Sequence, residues 1–395
     1  MTQHSASNEK MTIFHSVRVW LPRTENWIYN LLRFLPHEVN LHVVCESTIN
    51  MEEFRLTQIH CFQQAATDRH FWNGPLRKIS FRTYLGFMKA LIRKHHAHLL
   101  HSHFGNHAWA DLKVAREAHL PHLVTFYGFD VNYLPRLDPV WKQRYQELFD
   151  HCQGVLCEGP HMGRCLMELG CPESKVRLLH LGVATSEIPF RPRQLTPGEP
   201  LRILLAASFQ EKKGLPAGIE ALGALRERNV PFEATLIGDA NSEPRSQNEK
   251  QKILQALAKH HLKDKVRLMG YLPHRILMEE AGRHHVFMAP SVTAEDGDTE
   301  GGLPVTLIEM AASGMPVVTT DHCDIPELVV AGVTGLQAPE RNVDQLAEHL
   351  RWLYQNPAKW HSIADAARNR VEAEFDASRQ GVRLGQIYRE LIQGH

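Results

Sequence analysis

Nothing in this 395-residue chain pulls its charge to one side. Lysine and arginine number 44, aspartate and glutamate also 44, and the pI is about 7.4, which excludes a protein that coats nucleic acid by net charge. The seven scattered cysteines (Cys45, Cys61, Cys152, Cys157, Cys165, Cys171, Cys323) contain no C-x-x-C pair. Neither a disulfide framework nor a zinc site is indicated by them, and a reducing cytoplasm is the expected compartment. No run of about 18 apolar residues occurs, and the opening MTQHSASNEK has no apolar stretch of the signal-peptide kind. A soluble or peripheral protein is expected. No repeat of fixed period appears, and from Arg69 to Ala110 there is no acidic residue at all.

What is present is alternation. Short β-branched or aliphatic runs (MTIFHSVRVW, VNLHVVCES, HLLHSHF, HLVTFYG, GVLCEG, KVRLLHLG) are separated by helical patterns such as ISFRTYLGFMKALIRKHH and DPVWKQRYQELFDH, the sequence form of βα units on a parallel sheet. The proline-rich ATSEIPFRPRQLTPGEP then reads as a linker. The alternation restarts in LRILLAAS, EATLIGDA, KVRLMGYL, HHVFMAPS and PVVTTD, and the tail from Asn342 onward is helical by its i, i+3, i+4 spacing. The expected organisation is two doubly wound α/β domains facing across a cleft: 1–185, a linker 186–200, 201–375, and a final helix 376–395 that crosses back. Of 26 histidines, seventeen lie at or before His180, and most are read as surface or strand-end residues.

The segment PSVTAEDGDTEGGLPVTLIEMAASGMPVV follows the buried run VFMAPS, so it lies at the carboxyl end of a strand, where ligands of open parallel sheets bind. Gly301 and Gly302 let backbone approach a ligand, and Pro304 suits the first turn of a helix beginning near it. Amides from Leu303 through Val305 to Thr306 form an anion site suited to phosphate. Glu309, too far along to cap that helix, suits a ribose diol. The plain alternative makes Glu300 a solvated loop acid and Glu309 part of an exposed helix face. Asp296-Gly297-Asp298 is a D-x-D tripeptide of the kind that holds a divalent cation, a weak signal alone.

EGGLPVTLIEMAASGMPVV, followed by IPELV and GVTGL and preceded by HLGV, resembles the donor site of retaining glycosyltransferases of family 4, of GT-B architecture. That resemblance covers nearly the whole chain. It implies Glu309 on the ribose, Glu300 near the donor sugar and Lys213 on the diphosphate, a nucleotide-diphosphate sugar as donor, and no metal or other cofactor. Two departures stand out. Eight residues separate Glu300 from Glu309 where the family commonly has seven, and Ser208 stands where the family has an arginine.

In the first half, WLPRTENWIYNLLRFL resembles the Ser/Thr-Glu-x-Phe/Trp-Ile opening of the exopolysaccharide and colanic-acid branch. HSHFGNHAW and TFYGFD follow two successive strands. Tyr127 takes the place of a family histidine, with Gly128 and Asp130 beyond it, and His103 or His107 supplies an imidazole at the acceptor side. The resemblance implies a saccharide acceptor, lipid-linked in this branch, in cell-surface polysaccharide synthesis. Arg82, Lys89 and Arg93 are candidates for resting on an anionic membrane, against the plainer reading of solvated cations on a packed helix. Competing readings are a nucleotide-sugar epimerase, a pyridoxal phosphate-dependent phosphorylase, for which no lysine motif is found, and a saccharide- or nucleotide-binding protein that keeps the fold without catalysis.

Overall fold

The computed structural model describes residues 10–67 and 77–395, with side chains outside 66–83. The chain divides into two compact units, 1–182 with 377–395, and 183–376. Each is a parallel sheet covered by helices, built from strands whose apolar runs are buried on both faces.

In the first unit the seven-stranded sheet holds β1 (Met11–Ser16), β2 (Val39–Cys45), β3 (Ile59–Cys61), β4 (Leu99–His103), β5 (His122–Thr125), β6 (Gly154–Cys157) and β7 (Val176–Leu178). Their order is β3-β2-β1-β4-β5-β6-β7, so the chain winds outward in both directions from β1, the arrangement of a Rossmann-like sheet. Every pairing is parallel, with Phe14 opposite His42, Ile13 opposite Leu99 and His103 opposite Thr125. The last helix, Ala377–Gln393, packs on this unit through Leu384, Ile387 and Tyr388 against Ile13, Leu99 and Leu123.

In the second unit β8 (Leu201–Ala206), β9 (Phe232–Ile237), β10 (Val266–Leu268), β11 (Val286–Ala289), β12 (Val317–Thr320) and β13 (Leu336–Ala338) take the order β10-β9-β8-β11-β12-β13, all parallel. The outward winding from the first strand is the same. Leu201, Ile203, Leu205, Val286 and Met288 are buried on one side with Ile219 and Leu222 of the helix Leu215–Glu227. Leu204, Phe287 and Val317 face the other side with Leu307, Ile308 and Ala311 of the helix Val305–Ala312. Period-2 alternation of faces on each strand thus fills two apolar layers.

The segment 186–200, expected as a linker, belongs to the second unit. Its prolines block regular structure, yet it is pinned: Arg191 N–H donates to Ser313 O at 3.0 Å, and the Arg193 guanidinium reaches His284 O at 3.0 Å and Ser313 O at 3.1 Å. Arg368 adds bonds to Thr185 O, Ile188 O and Ala312 O at 2.8–3.0 Å. Two three-residue edge strands, β3 and β13, were not anticipated, whereas the equally short β7 and β10 lie in the quoted runs KVRLLHLG and KVRLMGYL. Among the described residues no helix is long and apolar enough to cross a membrane, and all seven cysteines are unbridged.

Candidate functional site

At the carboxyl end of β8 the chain makes a short turn, Glu211–Lys213, closed by Gly214 in the left-handed region at φ 62°. A Cβ there would meet Pro290 O at 1.8 Å, so the lysine turn lies hard against the chain leaving β11. This approach sets two ion pairs. Lys213 Nζ lies 2.5 Å from Glu300 Oε2, and Lys212 Nζ lies 3.1 Å from Asp298 Oδ1. The other Glu300 oxygen accepts from Ser291 Oγ at 2.8 Å. Burial would raise the Glu300 pKa, but Lys213 and Lys212 outweigh it and hold the carboxyl below its usual range.

Glu300 is therefore not a solvated loop acid. Its own N–H donates to His322 Nε2 at 3.1 Å, and His322 Nδ1 lies 2.6 Å from Glu340 Oε1. That chain of bonds fixes the histidine tautomer and locks the acidic loop to the segment after β13. Within the double glycine, Gly301 takes the left-handed region at φ 81°. Gly301, Gly302 and Leu303 are buried, and Pro304 is the N-terminal cap of the helix Val305–Ala312 with no side chain capping it. The first amides of that helix, at Val305 and Thr306, are left for another acceptor. Ser208 sits in the loop after β8, where its neighbour Phe209 N–H donates to Asp239 O at 3.0 Å.

Glu309, 4% exposed, is likewise not on an exposed face. His274, at the start of the helix His274–Ala281, places Nε2 at 2.8 Å from Glu309 Oε1. The hydrogen bond to Glu309 raises the His274 pKa above its ordinary value, against a smaller opposing effect of burial. Asp298 is committed to Lys212, and Arg245 stands 3.9 Å from its second oxygen. The D-x-D carboxylates thus face cations of the protein itself.

The first unit gathers a different set. His103, at the end of β4, is fully buried, with Nδ1 at 2.5 Å from Tyr127 Oη and Nε2 at 3.1 Å from His15 Nδ1. His15 Nε2 and His101 Nδ1 share Tyr388 Oη at 3.2 and 2.8 Å, and His101 Nε2 meets Thr125 Oγ1 at 2.7 Å. Every nitrogen of these three rings has a partner. Burial and neighbouring imidazoles push His103 down to about 3 and lower His15 and His101 as well, so the network is uncharged at neutral pH. Desolvation also raises the Tyr127 hydroxyl well above its ordinary value.

Asp130 is wholly buried, with Oδ1 accepting from Tyr127 N at 2.9 Å and Oδ2 from Gly105 N at 2.6 Å. Burial raises its pKa to about 6 against those amides. Expected as catalytic, Asp130 ties the start of the helix Gly105–Ala118 to the loop after β5. The Tyr127 ring lies tilted against Phe104 (4.7 Å) and Trp27 (5.9 Å). Beside them Glu25 is half-buried, and desolvation lifts its carboxyl to about 7. His107 is held down to about 4 by burial, then by Arg18.

On the basic stretch, Lys89 pairs with Glu117 of the neighbouring helix, so the acid missing from the segment is supplied from outside it. Tyr84, Met88 and Ile92 are buried in the core, and Arg93 is exposed. The side chain of Arg82 lies outside the described residues. Sequence reasoning did not single out His274, Ser291, His322 or Glu340, and a lone histidine or serine near a helix start or strand end carries no spacing signal.

The family described as Glycosyltransferase Family 4 matches residues 24–187, and that described as Glycosyl transferases group 1 matches residues 187–370. The amylovoran biosynthesis glycosyltransferase AmsK of Erwinia amylovora is 34% identical over 254 residues, 64% of this chain and 60% of AmsK. The putative colanic acid biosynthesis glycosyltransferase WcaL of Escherichia coli K12 is 33% identical over 252 residues, again 64% and 60% of the two chains. The matched stretch spans 60% of the length of these relatives. Among solved structures, Anabaena HepE in complex with UDP-glucose has a TM-score of 0.74 at 15% identity, covering 98% of this chain and 100% of that one. That likeness is one of fold, and the expected pair of Rossmann-like domains of the GT-B kind is the fold found. The two family matches adjoin at residue 187 and together span 24–370, with the Glycosyl transferases group 1 match confined to residues 187–370.

Proposed function

We propose that this chain is a retaining glycosyltransferase that moves a sugar from a nucleotide diphosphate to a saccharide acceptor in cell-surface polysaccharide synthesis, without a metal. The observation that carries the reading is the pairing of Lys213 with Glu300 at 2.5 Å beside an uncapped helix start. A cation and free amides at one point suit a departing diphosphate, whose developing charge they stabilise in place of a divalent ion. Donor binding would draw Lys213 toward phosphate and leave Glu300, still held by Ser291, to accept from hydroxyls of the donor sugar. Glu309, fixed through one oxygen by His274, keeps its other oxygen for the ribose. The commitment of Asp298 to Lys212 supports metal independence. In the first unit, Tyr127 and the Glu25 carboxyl, protonated in part near pH 7, offer hydrogen bonds to a neutral sugar hydroxyl.

Amylovoran and colanic acid synthesis, in the names of AmsK and WcaL, support the exopolysaccharide setting. The test is transfer from UDP-, GDP- and ADP-sugars to acceptor extracts with EDTA present, with the product's anomeric configuration read by proton NMR. Transfer with the donor's configuration kept is expected. Nucleotide binding without turnover of any donor would move the chain to the non-catalytic reading.

A further inference from the structure

Histidine is concentrated in the first unit, and one group of it takes no part in the site described above. His42 on β2, His60 on β3 and His95, just past the helix Arg77–Lys94, each offer a ring nitrogen, and these nitrogens lie within 4.8 Å of one another. Strand register explains the meeting. His60 pairs with Val44, two residues beyond His42, so the two imidazoles stand on the same face of neighbouring strands. Phe14, opposite His42 on β1, stacks on it at 4.8 Å and 10°, forming an apolar wall behind the group. His42 is buried, whereas His60 and His95 are half-buried, which leaves one side open to solvent.

From this geometry we infer that His42, His60 and His95 form a zinc site that ties the edge strand β3 to the end of the helix Arg77–Lys94, with water in the fourth position. Tetrahedral zinc sets nitrogen ligands about 3.4 Å apart at bond lengths of roughly 2.1 Å. His42 Nδ1 and His60 Nε2 stand 2.9 Å apart, joined by a hydrogen bond whose proton the metal displaces, and part by a few tenths of an ångström. His95 swings in to close the rest.

The surroundings can orient the buried ligand. With Nδ1 on zinc, His42 Nε2 carries the hydrogen and needs an acceptor. Asn40 lies 3.1 Å from Nε2, and its carboxamide is bonded in turn to Gln58 at 2.9 Å and Thr12 Oγ1 at 3.3 Å. Reversing the Asn40 and Gln58 amides together exchanges oxygen for nitrogen in place and keeps all three contacts, turning Asn40 Oδ1 toward His42. The other triad, His15, His101 and His103, meets the same distance criterion but is fully buried, and hydroxyl or imidazole partners already occupy every ring nitrogen. It is a hydrogen-bond network, not a metal site.

The experiment uses the full chain without a histidine tag, stripped with chelator, dialysed, and titrated with Zn2+ against a chromophoric chelator. One zinc per chain with Kd below about 1 μM is expected, with a rise in thermal midpoint. His95→Gln, at a half-buried position, should weaken binding at least tenfold and abolish the visible d–d bands of the Co2+-substituted protein. Asn40→Asp, which supplies a permanent acceptor, should tighten it. His101→Gln should leave zinc affinity unchanged. Failure to bind zinc, binding indifferent to His95→Gln, or binding lost in a folded His101→Gln protein would overturn the assignment.

Discussion

The two units share a strand order and differ in what stands at the carboxyl ends of their strands. In the first, imidazoles and phenols close into a network and burial lifts the carboxyls of Asp130 to about 6 and Glu25 to about 7, beside one buried ion pair, Arg18 with Asp111. In the second the groups are ion pairs, Lys213 with Glu300, Lys212 with Asp298 and His274 with Glu309. One topology thus carries two electrostatic settings, because charge survives burial only where a partner compensates it. On the proposed reading the second unit takes the anionic nucleotide and the first takes hydroxyl groups.

The largest effect should come from breaking the ionic side. Lys213→Ala leaves Glu300 buried without its cation, and a loss of roughly 3 kcal/mol in stability is expected by urea unfolding, with transfer slowed about 100-fold or more. Asp130→Ala breaks the first unit's side. It orphans the amides of Gly105 and Tyr127 and should cost about 2 kcal/mol, while nucleotide affinity, which on the proposed reading belongs to the second unit, stays within twofold of wild type. An equal loss of nucleotide affinity would erase the distinction between the units.

The smallest effect sharpens the comparison by pH. His274 has a folded pKa raised above its unfolded value near 6.5, chiefly by its bond to Glu309. Its stabilisation is therefore complete below pH 6.5 and fades as pH rises through the raised value. His274→Gln should lose that slope in melts between pH 6 and 8. The difference should stay below about 1 kcal/mol, because the imidazole is half exposed and screened.

The alternation of apolar runs made both sheets legible in the sequence, since strands buried on two faces read as continuous hydrophobic stretches. The edge strands Ile59–Cys61 and Leu336–Ala338 were not read, whereas the equally short Val176–Leu178 and Val266–Leu268 showed because they lie in the longer runs KVRLLHLG and KVRLMGYL. Proline content marked 186–200 as irregular, but its attachment through Arg193 depends on carbonyls about 90 and 120 residues away in sequence. Lys213, Glu300 and Glu309 could be singled out because they lie in one motif or beside a glycine turn. The partner His274 of Glu309, like the Gly105 amide that holds Asp130, comes from another helix. No local pattern records them.

The most direct measurement is calorimetric titration of the chain with UDP, GDP and ADP in EDTA, repeated for Glu309→Ala. One diphosphate should bind with unit stoichiometry, and the variant should weaken it at least tenfold, the loss expected from leaving a ribose diol unpaired. No binding of any diphosphate by the folded protein, or binding untouched by Glu309→Ala, would contradict a donor site in the second unit.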